Sequence, residues 1–169
     1  CGHTRCWLRN RQRAMSRSCT MPPPFRTRTG IHQPEYRWSV IDYEWRGRFD
    51  NAEANGVHAE AFGHPLVDDD WWAQVNRHSL GWVCARRHGR LVGFVNVAWD
   101  GGVHAFLLDP VVVTELQRQG VGARLVALVV EHVRLAGCEW LHVDFDDHLG
   151  PFYLGRCGFR STSAGLIGL

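Results

Sequence analysis

Apolar residues follow two different periods along the chain from about residue 38 onward. Alternation with a period of two predicts half-buried strands over residues 38–45, 81–87, 91–99, 103–113, 140–145 and 164–167. Helical spacing predicts helices over residues 48–62, 71–78, 121–136 and 150–156. Strands and helices in this mixed order predict an α/β fold, with a mixed, mostly antiparallel sheet flanked by helices.

The first 35 residues differ in composition from the rest of the chain. They are rich in arginine and serine and show no lasting apolar period, so we predict a disordered extension over 1–35 and a folded domain over 36–169. Residues 1–30 carry seven arginines and no acidic residue, whereas the other 139 residues carry twelve arginines and seventeen acids. The folded domain is therefore expected to be mildly acidic. The extension also resembles an organelle transit peptide, with Met21 as an alternative start.

Composition argues against several classes of protein. No apolar run reaches the ~18 residues that a membrane-spanning helix needs, so no membrane partner is expected. The six cysteines lack the spacing of a disulfide scaffold, which favours a reduced, cytoplasmic protein. We expect no metal, because the spacing of the N-terminal candidates matches no usual zinc motif: Cys1, His3, Cys6 and Cys19. The arginines of the extension lack interleaved aromatic residues, so a nucleic-acid partner is not favoured.

The stretch 113–125 contains the strongest indication of a binding site. A strongly apolar run ends there in a polar turn, and Gly120 and Gly122 then open an amphipathic helix. The start of a helix presents free backbone N–H groups and the positive end of the helix dipole, and glycine lets an anion approach the backbone closely. Arg118 and Arg124 add positive charge. The stretch therefore predicts a site for phosphate.

Three phosphate-binding designs compete for this stretch. A P-loop requires a lysine, and the chain contains none. A dinucleotide-binding loop requires a small residue where Leu125 stands, although Glu139 lies where a ribose-binding acid would be expected, so this alternative stays open. The third design is Gln/Arg-x-x-Gly-x-Gly/Ala, the loop that grips the pyrophosphate of coenzyme A. Gln117, Gly120 and Gly122 match it at every specified position.

A second motif lies about thirty residues downstream, where residues 152–159 are Phe-Tyr-Leu-Gly-Arg-Cys-Gly-Phe. Together with the glycine loop, the helix after it and the strand over 140–145, this motif resembles the GNAT family of acyl-CoA N-acyltransferases. The resemblance covers roughly residues 38–160 and is most specific over 107–159. It implies a GNAT fold and direct transfer of an acetyl group from acetyl-CoA to a primary amine acceptor.

The resemblance also implies which residues bind acetyl-CoA. Backbone amides of the loop would hold the pyrophosphate, while the end of the preceding strand would pair with the pantetheine arm and direct an N–H group at the thioester oxygen. The residues concerned are Val111, Val112, Val113, Gln117, Arg118, Gln119, Gly120, Val121, Gly122 and Ala123. The chain departs from the family at Thr114, where proline is frequent, so the identity of the oxyanion donor stays open.

The same resemblance suggests catalytic residues. Tyr153 matches the family tyrosine that protonates the departing thiolate of CoA. As the base we rank Asp109, on the strand before the loop, and Asp144, on the next strand, above His104, His142 and His148. The family commonly uses a chain of water molecules instead of a dedicated base. The segment before the Phe-Tyr pair also departs from the family, which leaves the acceptor amine open.

Two other functions and one assembly stay open at this point. A non-catalytic acyl-CoA-binding regulator would keep the glycine loop but would not need Tyr153. A nucleic-acid-binding protein would use the basic extension, and its binding would weaken steeply with salt. A homodimer is compatible with the sequence.

Overall fold

The computed structural model describes residues 40–168. Five strands form one sheet: β1 (Asp42–Trp45), β2 (Ser79–Arg87), β3 (Arg90–Trp99), β4 (His104–Val112) and β5 (Trp140–His142). The longer helices are α1 (Asn51–Phe62), α2 (Trp71–His78) and α3 (Val121–Leu135), and a π-helix spans Pro151–Arg156. The predicted extension and the N-terminal zinc candidates lie outside the described residues.

The strands follow chain order across the sheet. β1 to β4 pair antiparallel, whereas β4 and β5 pair parallel, with α3 as the connection between them. The predicted α/β fold with a mostly antiparallel sheet is confirmed. None of the helices within residues 40–168 is long and apolar enough to cross a membrane.

The segment between α1 and α2 is held in place by a buried amide. Asn55 is buried, and its Nδ2 donates to the carbonyl oxygen of Asp69 at 3.0 Å, while its Oδ1 accepts from the indole N–H of Trp71 at 3.0 Å. Asp50 and Asp70 cap the two helices, because each side chain accepts a hydrogen bond from a backbone N–H of the first turn. These contacts fix the face that α1 presents to β4.

α3 packs closely against the middle of the sheet because β3 has a glycine beneath it. A Cβ atom on Gly93 would lie 3.2 Å from Leu125 Cδ1 and 3.2 Å from the carbonyl oxygen of Val111. The face of α3 toward the sheet is buried, and Leu128 beside it is half-buried; the buried residues are Val121, Leu125, Val126, Val129 and Val133. This close packing directs the N-terminus of α3 to the end of β4.

The sequence predictions were wrong near the C-terminus. β5 ends at His142 rather than at residue 145, so Asp144 does not lie on this strand as predicted. The predicted strand over 164–167 does not form, and Leu166 and Ile167 are 81% and 88% exposed. A strand needs a partner for its backbone groups, and neither segment has one among the described residues.

Candidate active site

β4 and β5 separate partway along β4. Their pairs run from His104–Trp140 to Phe106–His142, after which β5 ends, whereas β4 continues to Val112. In the described part of the chain, the outer edge of this second half of β4 therefore has no strand partner. An open strand edge can bind an extended ligand through backbone hydrogen bonds.

A bulge changes the course of β4 at the same place. The pairing of β4 with β3 skips from Leu108 to Val111, so Asp109 and Pro110 are the bulged residues. Asp109 has a φ of 49°, in the left-handed region that few residues other than glycine adopt. The bulge reorients the Asp109 side chain. It also changes which face of the sheet each of the following side chains points to, up to the start of the loop.

The end of β4 has one backbone donor at its open edge. The N–H of Val113 donates to the carbonyl oxygen of Val92 on β3 at 3.0 Å. Because neighbouring residues in a strand direct their backbone groups to opposite edges, the N–H of Val112 faces away from β3. Val112 N–H is therefore the group best placed to face an oxyanion, within the predicted range Val111–Val113.

The turn between β4 and α3 alternates in backbone handedness. Arg118 has a φ of 60° and Gly120 a φ of 91°, and Gln119 between them does not share this conformation. Such alternation turns successive N–H groups toward one concave side, where they can bind an anion. Leu116 is buried beneath the turn and anchors it to the core.

The N-terminus of α3 is open, as the sequence predicted. Gly120 precedes the helix, and no side chain within the described residues caps it. The first intrahelical bond runs from the N–H of Arg124 to the carbonyl oxygen of Gly120 at 3.0 Å. The N–H groups of Val121, Gly122 and Ala123 therefore have no partner within the helix, and they point toward the turn with the positive end of the dipole.

The two glutamines of the turn brace its backbone. Gln117 Nε2 donates to the carbonyl oxygen of Val112 at 3.1 Å, and Gln119 Nε2 donates to that of Glu115 at 2.7 Å. Their side chains therefore shape the loop in this structure. A contribution of Gln117 and Gln119 to cofactor binding would come from their position and their backbone rather than from free amide groups.

The π-helix meets the same turn and brings a charge that we did not select from the sequence. A Cβ atom on Gly122 would lie 3.4 Å from Phe152 Cζ and 3.8 Å from Val112 Cγ2, so these residues pack together. A Cβ atom on Gly120 would lie 3.5 Å from Arg156 Nη2. Arg156 is exposed, and its guanidinium therefore lies beside the open helix end. In the sequence, the position of Arg156 within the second motif was the one indication of its importance.

Tyr153 lies in the π-helix with its ring buried. It is 3% exposed and stacks on Phe145 at a centroid distance of 4.7 Å, with Phe152 and Phe159 packed edge-on. Burial raises the pKa of the Tyr153 phenol to about 12. The phenol therefore carries its proton throughout the physiological range.

Asp109 faces α1 rather than β5. Its Oδ1 lies 3.7 Å from Nε2 of His58, a residue that the sequence did not single out. Burial raises the pKa of the Asp109 carboxyl, and the nearby His58 opposes this rise. A partly buried carboxyl beside an imidazole, on β4 just beyond its pairing with β5, is a candidate base.

The other base candidates lie on β4, on β5 and after β5: His104 begins β4, His142 ends β5, and Asp144 and His148 follow β5. Asp144 is exposed and lines a groove of about 840 Å³ together with Val143, Phe145 and the C-terminal segment, apart from the turn that precedes α3. His104 Nδ1 lies 2.8 Å from His142 Nε2, and the His142 ring stacks on Phe106. Within the described residues, no group of three or more His, Cys, Asp or Glu side chains is placed to hold a metal ion.

Comparison with models of protein families identifies one family. Residues 32–159 match the model of the acetyltransferase (GNAT) family. No curated protein sequence matches the chain. Among solved structures, a GNAT-family acetyltransferase from Streptococcus pneumoniae is 18% identical with a TM-score of 0.64, and the match covers 77% of this chain and 98% of that one.

Two similar structures have a stated acceptor or ligand. AAC(6')-Iy, in complex with a bisubstrate analogue of CoA and acetylneamine, is 20% identical with a TM-score of 0.62, covering 78% of this chain and 98% of that one. Glucosamine-6-phosphate N-acetyltransferase from Arabidopsis thaliana is 15% identical with a TM-score of 0.59, covering 76% and 98%. Because the identities are low, these likenesses establish the shared fold and leave the substrate to be argued from the site.

Proposed function

Because this chain belongs to the acetyltransferase (GNAT) family, we propose that it transfers an acetyl group from acetyl-CoA directly to a primary amine. The observation that carries the proposal is the open N-terminus of α3 beside the unpaired edge of β4. The helix end suits the pyrophosphate of CoA, and the strand edge suits its extended pantetheine arm. AAC(6')-Iy, a similar structure, is known in complex with CoA, which supports this assignment.

Binding of acetyl-CoA would rely mainly on backbone groups. The N–H groups from Arg118 to Ala123 would donate to the pyrophosphate, and the backbone of Val111–Val113 would pair with the pantetheine amides. The role of Gln117 would be to hold the end of β4 in position. Arg156 would add a charge-assisted contact to a phosphate.

The reaction requires one bond exchange and two proton transfers. The amine nitrogen attacks the thioester carbonyl carbon, and the Val112 N–H stabilises the negative charge that develops on the oxygen. The C–S bond then breaks, and the CoA thiolate takes the phenolic proton of Tyr153. The attacking amine loses its proton to a base, for which Asp109 is our first choice because it is partly buried beside the open edge of β4. Asp144, which is exposed, is the second choice.

The cysteines bear on where the protein acts. The described thiols of Cys84, Cys138 and Cys157 are free, and burial raises the pKa of Cys84 to about 12. A thiol of this kind is unreactive and is ordinary in a reducing compartment. We therefore place the proposed enzyme in the cytoplasm.

The direct test is release of free CoA thiol when the protein is mixed with acetyl-CoA and a panel of primary amines. The panel should include amino sugars, protein N-terminal peptides and lysine peptides. Thiol release that depends on one class of amine, with a matching mass gain on that amine, is the expected result. Tight binding of acetyl-CoA with no thiol release for any amine would instead favour the non-catalytic acyl-CoA-binding module.

A further inference from the structure

Three side chains outside the glycine loop lie in a row: a hydrogen bond joins His64 and His58, and His58 makes an ion-pair contact with Asp109. His58 of α1 lies in the middle: its Nε2 is 3.7 Å from Asp109 Oδ1, and its Nδ1 is 2.8 Å from His64 Nε2. The far end is fixed by the backbone, because His64 Nδ1 is 2.7 Å from the carbonyl oxygen of Pro65.

The contact to Pro65 determines where the hydrogens lie in this row. A carbonyl oxygen can only accept, so His64 must carry its hydrogen on Nδ1. When His64 is neutral, its Nε2 is an acceptor and takes the hydrogen of His58 Nδ1. A neutral His58 then has no hydrogen on Nε2, and it directs a free lone pair at Asp109.

Addition of one proton reverses this arrangement. If the proton is on His64, Nε2 donates to His58 Nδ1, and His58 carries its own hydrogen on Nε2. If the proton is on His58, both of its nitrogens carry hydrogen. In either case His58 Nε2–H points at the Asp109 carboxylate, and the added positive charge is paired with that carboxylate.

The surroundings hold the His58 ring without competing charges. Its ring packs against Trp71 of α2 and Phe62 of α1 at centroid distances of 5.0 and 4.6 Å, and the side chain is only 21% exposed. Acidic groups on the same elements have other partners: Glu60 contacts the Thr114 N–H and Arg90, and Asp70 caps α2. Among the described residues, the ionisable groups in contact with the His58 ring nitrogens are Asp109 from β4 and His64 from the segment after α1.

We propose that Asp109, His58 and His64 form a proton relay that removes the proton of the acceptor amine. The relay rests on the proposed acetyl transfer. The amine nitrogen forms its bond to the thioester carbonyl carbon while one of its N–H bonds breaks, and that proton passes to the Asp109 carboxylate and then to His58 Nε2. Asp109 is the base, His58 is the positioning residue that takes the proton from it, and His64 positions His58.

The activity test compares His58→Gln, His64→Gln and the exposed control His78→Gln over a range of pH. A general base contributes about 10²-fold or more, so His58→Gln should lower kcat/KM by about 10²-fold. It should also move the acidic limb of the pH profile to higher pH, because His58 lowers the pKa of the Asp109 carboxyl. His64→Gln should move the same limb with a smaller loss of rate. The His78→Gln profile should overlie that of the wild type. A loss of rate in His58→Gln with an unmoved acidic limb would show that His58 only packs the site, and would overturn the relay.

A second measurement does not depend on turnover. Nitrogen-15 NMR of the imidazoles in the free protein should show hydrogen on Nδ1 of both His58 and His64 at high pH, with uptake of one proton by the pair. Hydrogen on His58 Nε2 at high pH would overturn the assignment. If these tautomers are found but the wild type releases no thiol with any amine, the proposed acetyl transfer fails, and the amine-deprotonating role of the relay fails with it.

Discussion

The proposed active site has two sides, one that would bind the cofactor and one that faces α1, and they are built from different groups. On the cofactor side, backbone N–H groups of a turn and a helix end converge. Their direction follows from the left-handed backbone conformation of Arg118 and Gly120. On the side facing α1, the functional groups are side chains from segments about fifty residues apart, brought together by a bulge at Asp109 and by the packing of His58 against Trp71. Local chain geometry therefore creates the first side, whereas tertiary packing creates the second.

The largest effect on acetyl-CoA binding is expected from a negative charge on the cofactor side. Gly120→Glu introduces a carboxylate and a Cβ atom at a φ of 91°, and we expect affinity for acetyl-CoA to fall by more than about 100-fold, measured by calorimetry. Gly137→Glu is the matched control, because Gly137 has a φ of 88° at the other end of the same helix. Equal affinity of both variants for acetyl-CoA would contradict the assignment of the loop.

Chemistry and binding should separate at Tyr153. Tyr153→Phe removes the proposed proton donor, so kcat should fall by about 10²-fold while the dissociation constant of acetyl-CoA changes less than about threefold. Tyr43→Phe removes another partly buried phenol, on β1, and should leave kcat unchanged. An unchanged kcat in Tyr153→Phe would exclude this tyrosine from the mechanism.

Side-chain charge should matter less than backbone donors on the cofactor side. Arg156→Ala removes the guanidinium next to Gly120, and we expect affinity for acetyl-CoA to fall by about tenfold, with the difference shrinking at high salt. Arg77→Ala removes an exposed arginine at the end of α2 and should have no effect. A larger loss of acetyl-CoA affinity in Arg156→Ala than in Gly120→Glu would show that side-chain charge contributes more to binding than the backbone donors do.

The orientation of α3 depends on its packing against β3. Gly93→Ala puts a Cβ atom 3.2 Å from Leu125 Cδ1 and from a backbone oxygen, so the free energy of unfolding should fall by about 1–3 kcal/mol. Gly56→Ala, inside α1 with open space around it, should raise the free energy of unfolding by about 0.5–1 kcal/mol. Denaturant unfolding measures both. A neutral Gly93→Ala would show that α3 tolerates displacement from the sheet.

This contrast also explains what the sequence could predict. Helix α2 was predicted with its observed bounds, and the glycine turn with its helix was predicted because local residue types determine both. The short β5 could not be predicted, because its end depends on where β4 turns away. His58 and His64 have no motif of their own, and their contact with Asp109 exists only once α1 lies against the bulge. The role of Arg156 likewise could not be predicted, because it depends on how close the guanidinium lies to Gly120 in the folded chain.

The most direct test of the central claim follows backbone amide signals by NMR while acetyl-CoA is added. Donation of the free N–H groups to pyrophosphate predicts that the largest shifts occur at Gly120, Val121, Gly122 and Ala123, with Val112 also affected by the pantetheine arm. Shifts confined to the groove beside Asp144, with the signals of the turn unchanged, would contradict the account.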